Sequence, residues 1–264
     1  MKFATITVVE LVGCFHLDVF HQDRLIPPAI DLHIKLIPAA YSFVCKSATP
    51  GAGAAEQNYK MAIQRVDLII HTKQLTSTAQ KAHKKLLQVH NIRTHYSRVQ
   101  VKHLTIVANQ TSISFDNGLT GALPDLVIVG LVSDADHAGG YQRNPFNCQN
   151  FGVNRIDLKR NGMRVSSNGY ISNLTNGQYK NNYIPSLEQL DCDSGDKCIS
   201  LTPLEWATKY TLYAFKITDG PIGPGTYGLR SKSATGSMRL EVSFAAAQKE
   251  NIKVILLYQM LGRL

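Results

Sequence analysis

The stretch 141-YQRNPFNCQNFGVNRIDLKRNGMRVSS-167 decides how this chain is read. Its second half holds two short alternating runs, 153-VNRIDLK-159 and 163-MRV-165, on either side of Asn161-Gly162. Asn-Gly readily takes the two positive φ values of a type I′ turn, so the spacing predicts a tight β-hairpin. The first half carries Pro145 and a run of asparagines, with no nucleophile–base pair and no phosphate loop.

Outward from this hairpin, period-two alternation dominates. In 238-MRLEVSF-244, Met238, Leu240, Val242 and Phe244 share one face. In 98-RVQVKHLTIV-107, Val99, Val101 and His103 share another. Further predicted strands are 4–11, 29–37, 61–70, 126–132, 209–217 and 252–258. Many short strands joined by Gly, Pro and Asn-rich turns read as an all-β sandwich or jelly roll. One longer helix is predicted at 77–91, where Ala79, Ala82, Leu86 and Val89 form a stripe and Ser77 with Gln80 fits a capping box. Short helices are predicted at 185–190 and 203–209, each opening on proline. The Gly/Pro-rich stretch 218–237 reads as a long loop.

The chain has 264 residues, 44% hydrophobic and 18% charged, which is globular composition. No apolar run is long enough for a membrane-spanning helix. Thr5, Thr7 and Glu10 interrupt the N-terminal apolar run, so it reads as a strand and not as a signal peptide. The formal charge is +9, and its basic residues crowd between Tyr59 and His103. Lys81, Lys84, Lys85, Arg93, Arg98 and Lys102 are the candidate polyanion contacts there, set against the plainer reading of a solvated face.

Chemical motifs are scarce. The cysteines (Cys14, Cys45, Cys148, Cys192, Cys198) are odd in number and match no metal spacing. Cys192 and Cys198 suit either a small disulfide loop or two free thiols. His16, His21, Asp18 and Asp23 lie close together without a metal motif, and 133-SDADHAGG-140 reads as a turn, lacking the full ladder of a calcium loop. Tyr210, Tyr213 and Phe215 suit either base stacking or sheet packing. No catalytic residue, cofactor, metal site or small-molecule substrate is indicated, and the chain is expected not to be an enzyme.

The run 122-ALPDLVIVGLVSDADHAGGYQRNPFNCQNFGVNRIDLKRNG-162 resembles the hexon-like major capsid proteins of Maverick/Polinton elements and adintoviruses. Leu123-Pro124, then Asn144-Pro145-Phe146-Asn147, then the Asn161-Gly162 hairpin carry the likeness. His16, Asp18, Phe20, Gln22, Leu25, Pro27 and Asp31 extend it towards the N-terminus, and 210–218 with 236–245 extend it the other way. Asp125 departs from the pattern, standing where a basic residue is common.

The resemblance implies a double jelly-roll protein of which this chain is the C-terminal portion. Residues 1–75 would be the remnant of a first jelly roll. Residues 76–264 would be a complete second one, with helix 77–91 inserted and a few short helices. The implied function is structural: a capsid protein forming homotrimeric capsomers with itself and other capsid proteins, in the virion or otherwise intracellular. Pro145 would then fix a turn, Phe146 anchor it in the core, and the asparagine amides satisfy loop backbone groups. The alternative is a host-retained basic β-sandwich that binds nucleic acid or another polyanion, with no membrane partner.

Overall fold

A computed structural model of the chain describes residues 8–15, 17, 20, 26, 30–46, 61–90, 95–166, 169–172, 177–190, 192, 201–217 and 235–263. Asn161 and Gly162 take φ values of 49° and 84°, so the chain reverses where the sequence predicts. The strands that meet there are β4 (Val153–Arg160) and β5 (Met163–Arg164). The turn is pinned from the side. Asn161 N donates to Ser237 O at 3.0 Å, and Ser237 N donates to Asn161 Oδ1 at 2.9 Å. Gly236 makes this approach feasible, since a Cβ there would come within 2.4 Å of Asn161 Oδ1.

From this tip the chain pairs with itself outward, like a long hairpin. The remaining strands are β1 (His95–Ile106), β2 (Ser112–Ala122), β3 (Leu126–Ser133), β6 (Tyr170–Ile171), β7 (Leu212–Lys216), β8 (Thr235–Phe244) and β9 (Ile252–Arg263). β3 pairs with β7, β2 with β8 and β1 with β9, all antiparallel. The doubled chain rolls into two sheets, ordered β1-β9-β3-β7 and β2-β8-β4-β5, with β6 on β4. This nested wrapping is a jelly-roll sandwich. Alternate residues fill the space between the sheets: Val127, Val129, Leu131, Tyr213, Phe215, Val254 and Leu256 from one, and Ile156, Leu158, Met238, Leu240 and Val242 from the other.

β2 and the two-residue β6 are strands that alternation does not reveal. Ile113 and Phe115 alternate, but Asp116-Asn117-Gly118 follows and reads as a turn. The register against β8 shifts between Phe115 and Leu119, so these residues form an irregularity inside one strand. Other expectations fail in the opposite direction. Residues 8–11 of the predicted strand 4–11, residues 30–37 and residues 61–70 form no strand. Their apolar side chains stand in the open, with Ile34 38%, Leu36 56%, Val66 63% and Ile69 78% exposed. Alternation makes a strand only where a ladder partner exists, and among the described residues these segments have none.

The helices are α1 (Tyr41–Val44), α2 (Ser77–Leu87), α3 (Asp134–Ala138), α4 (Lys180–Gln189) and α5 (Pro203–Thr208). α5 opens on Pro203 with a capping box between Thr202 and Glu205. α4 begins at Lys180, so Pro185 lies inside it and not in its first turn. α4 lies against β7 and, with β6, covers that strand's outer edge. Ser186 Oγ donates to Leu212 O at 3.1 Å, Tyr170 OH to Ala214 O at 2.5 Å, and Lys216 N to Gln189 Oε1 at 2.9 Å. Three side chains thus satisfy the backbone groups an edge strand would otherwise expose.

The 144–147 segment turns as expected, with Asn147 N donating to Asn144 O at 3.1 Å, but its anchoring differs from expectation. Pro145 is buried, whereas Phe146 is 69% exposed and meets Phe43 of α1 edge-on at 5.5 Å. The ring packs on the incoming N-terminal segment and not in the sandwich. The buried asparagine is Asn150. Its Oδ1 accepts from Val153 N at 2.8 Å and its Nδ2 donates to Tyr213 OH at 3.0 Å. We expect Asn150→Ala to cost about 2 kcal/mol in urea unfolding, because it strips partners from buried groups. Asn147→Ala should stay within about 0.5 kcal/mol.

Candidate functional site

The basic residues singled out from the sequence fall on two separate elements. Lys81, Lys84 and Lys85 stand on α2 at spacings of three and four, so they share one face of the helix. The cap is Thr76, whose side chain accepts from Ala79 N, and not Ser77. Gln80 Nε2 donates to Leu75 O at 3.2 Å instead of closing a capping box. The wider apolar stripe of Ala82, Leu86 and Val89 is open, with Leu86 60% and Val89 75% exposed. Arg98 and Lys102 stand on β1 with the parity of Leu104 and Ile106, whose side chains turn to the core. Arg93 lies outside the described residues.

The two outward faces of the sandwich differ in chemistry. On the β2-β8-β4 face, charges neutralise one another. Lys159 meets Glu241 at 2.7 Å, Arg239 meets Glu241 at 3.0 Å and Asp116 at 2.9 Å, and Arg155 meets buried Asp157 at 2.6 Å. The β1-β9-β3-β7 face carries an apolar row in register: Val101, Leu257, Ile128 and Ala214. Ala214 is buried at the β7 end, whereas Val101 is 51% and Val99 53% exposed at the β1 end. The face is therefore most open beside the edge that no described strand covers.

α3 closes one end of this face. Ser133 Oγ caps it by accepting from Asp136 N at 3.1 Å, so 133–140 is a capped helical turn and not a simple loop. Asp136 meets Arg143 at 3.2 Å and Asp134 meets Lys253 at 3.3 Å. His137 Nε2 lies 3.2 Å from His103 Nδ1 of β1, which ties α3 to the first strand.

Among the described residues no three metal-ligating side chains come together. His16, Asp18, His21 and Asp23 lie outside the described residues, as does Cys198. The Cys192 thiol donates to Leu190 O at 3.4 Å, and burial pushes the Cys148 thiol up. Tyr213 and Phe215 are core residues, with Tyr213 wholly buried, so neither offers a ring to a base. Burial pushes the Tyr170 hydroxyl up to about 12 and that of Tyr213 up as well, so both serve as neutral hydrogen-bonding groups of the core.

No protein-family profile matches the chain, and no curated protein sequence is significantly similar to it. Among solved structures, PBCV-1 VP54, known from a crystal structure fitted into a cryo-EM reconstruction of the virophage Sputnik, aligns with a TM-score of 0.38 at 7% identity. The alignment covers 70% of this chain and 52% of that one, so the chain spans about half the length of that protein.

The His103–His137 contact generates a pH dependence. Burial first, then the charges of His103 and Lys253, hold the His137 imidazole below its ordinary value of 6.5, with Asp134 opposing. The unfolded chain therefore takes up this proton at a higher pH than the folded one. The resulting stability is present above about pH 6.5 and is lost as pH falls from there through the lowered folded value. The melting temperature should drop between about pH 7.5 and about pH 5.5. His137→Gln should show a smaller drop over the same range.

Proposed function

We propose that this chain is a structural capsid protein that works by self-association and not by catalysis. The observation that carries the reading is the asymmetry of its jelly roll. One outward sheet face is an internally neutralised charge network, and the other is an apolar row, half exposed beside an edge that no described strand pairs. An apolar face of this kind suits contact with another protein surface. The sequence likeness to hexon-like major capsid proteins of Maverick/Polinton elements and adintoviruses, in the same motif order along most of the chain, supports it further.

In this reading the chain is the C-terminal portion of a double jelly-roll protein, with residues 1–75 belonging to a first jelly roll. Three copies form a capsomer, and the assembled site is the virion. A Val99→Asp, Val101→Asp double variant, at the two half-exposed positions of the row on β1, tests it. Both side chains lie on the outward face, so the variant should retain its melting temperature to within a few degrees, as surface changes do. It should also lose its oligomer on a sizing column. An oligomer that survives both charges removes the open face from the assembly.

A second reading rests on α2, which presents Lys81, Lys84 and Lys85 on one face with no acidic residue in the helix. There the chain is a basic β-sandwich that binds nucleic acid or another polyanion. Reversing all three lysines to glutamate should weaken binding to a mixed-sequence duplex. It should also flatten the slope of log affinity against log salt by roughly 2 to 3. An unchanged slope would remove α2 from that role.

A further inference from the structure

α2 carries its apolar residues on one side. Ala79, Ala82, Leu86 and Val89 fall within an arc of about 80° around the helix axis. His90 N donates to Leu86 O at 2.9 Å, so helical winding continues past Leu87 and brings Val89 into that arc. Leu86 and Val89 are both exposed. The chain that leads into the helix is apolar and exposed as well, with Ile69, Ile70 and Leu75 in the open.

Cationic and imidazole side chains frame this stripe. By helical spacing Lys85 borders it on one flank and His83 with His90 on the other, whereas Lys81 and Lys84 lie on the far side. Ala82, Lys85, Leu86, Val89 and His90 line one open groove. Across residues 61–90 five cations, Arg65, Lys73, Lys81, Lys84 and Lys85, stand against one acid, Asp67. That acid is already paired with Arg65 at 2.8 Å. The surface is therefore apolar along one line and positive beside it.

We infer that α2 docks on an anionic lipid surface, with its apolar stripe below the headgroups and Lys85 at their level. A basic amphipathic helix suits that partner, which is negative at its rim and apolar beneath. A nucleic acid would engage the lysines and leave Leu86 and Val89 in water. A second copy of α2 would cover the stripe, but it would bring two basic helices together with no acid in either. A bilayer answers both features, and it also takes up Ile69, Ile70 and Leu75. No helix among the described residues is long and apolar enough to cross a membrane. A helix lying in the plane of the interface needs no such length. α2 meets this surface whether or not the sandwich forms capsomers.

The test is flotation of the full chain with vesicles of phosphatidylcholine and phosphatidylserine, and with vesicles of phosphatidylcholine alone. The chain should float with the mixed vesicles and stay behind with the neutral ones. A Leu86→Gln, Val89→Gln variant keeps every charge, and it should bind the mixed vesicles about tenfold more weakly. Failure of the unaltered chain to float with the mixed vesicles overturns the inference, as does equal flotation with both kinds. Flotation that the two glutamines leave unchanged overturns it too, because the lysines alone then suffice. If the double variant fails to fold, hydrogen exchange on the unaltered chain decides. Amides of 79–90 should exchange about tenfold slower on the mixed vesicles than without them, and an unchanged rate overturns the docking.

Discussion

Two positive φ angles at Asn161 and Gly162 place the midpoint of the fold. A turn of that type matches the twist of the strands it joins, so β4 and β5 leave it already paired. Everything else is built outward from this point. Each strand entering the turn meets the strand that leaves it at the same distance, from β3 with β7 to β1 with β9. The rolling of the doubled chain then follows from alternation, because each sheet turns one apolar face towards the other. Ser237, held by both the backbone and the side chain of Asn161, links the tip to β8 and so to the second half of the chain.

The fold also shows how a sandwich manages what it leaves open. Every strand at an edge presents unpaired backbone groups, and a protein either covers them or uses them. The β7 edge is covered by side chains from β6 and α4, one of which, Tyr170, also fills the core against Phe215. The β1 edge lies beside Val99 and Val101, where the outward face is most exposed. Among the described residues, a helix and side chains cover the β7 edge, and no strand lies beside β1.

How much of this the sequence discloses depends on whether the signal is local. The Asn-Gly turn, β3, β8 and β9 are legible because their periodicity and turn chemistry agree with the burial they achieve. β2 is hidden because Asp116-Asn117-Gly118 looks like a turn and is tolerated as an irregularity within a ladder to β8. Residues 30–37 and 61–70 mislead in the other direction, since alternation reports what a segment is suited to and not whether a partner is beside it. Phe146 and Asn150 exchange the roles expected of their neighbourhood for a similar reason. Which of two nearby side chains is buried depends on Tyr213 and Phe43, far away in sequence. The basic residues were legible as a cluster in sequence, yet α2 and β1 place them on separate elements.

We propose that this jelly roll acts by associating with itself through an apolar surface. Light scattering on a sizing column, at low and at high salt, measures that most directly. Self-association through that surface gives one discrete species at three times the chain mass of 29.2 kDa, unchanged by added salt, because apolar contact is not screened. A monomer at both salt concentrations, or an oligomer that dissolves as salt is added, would contradict it.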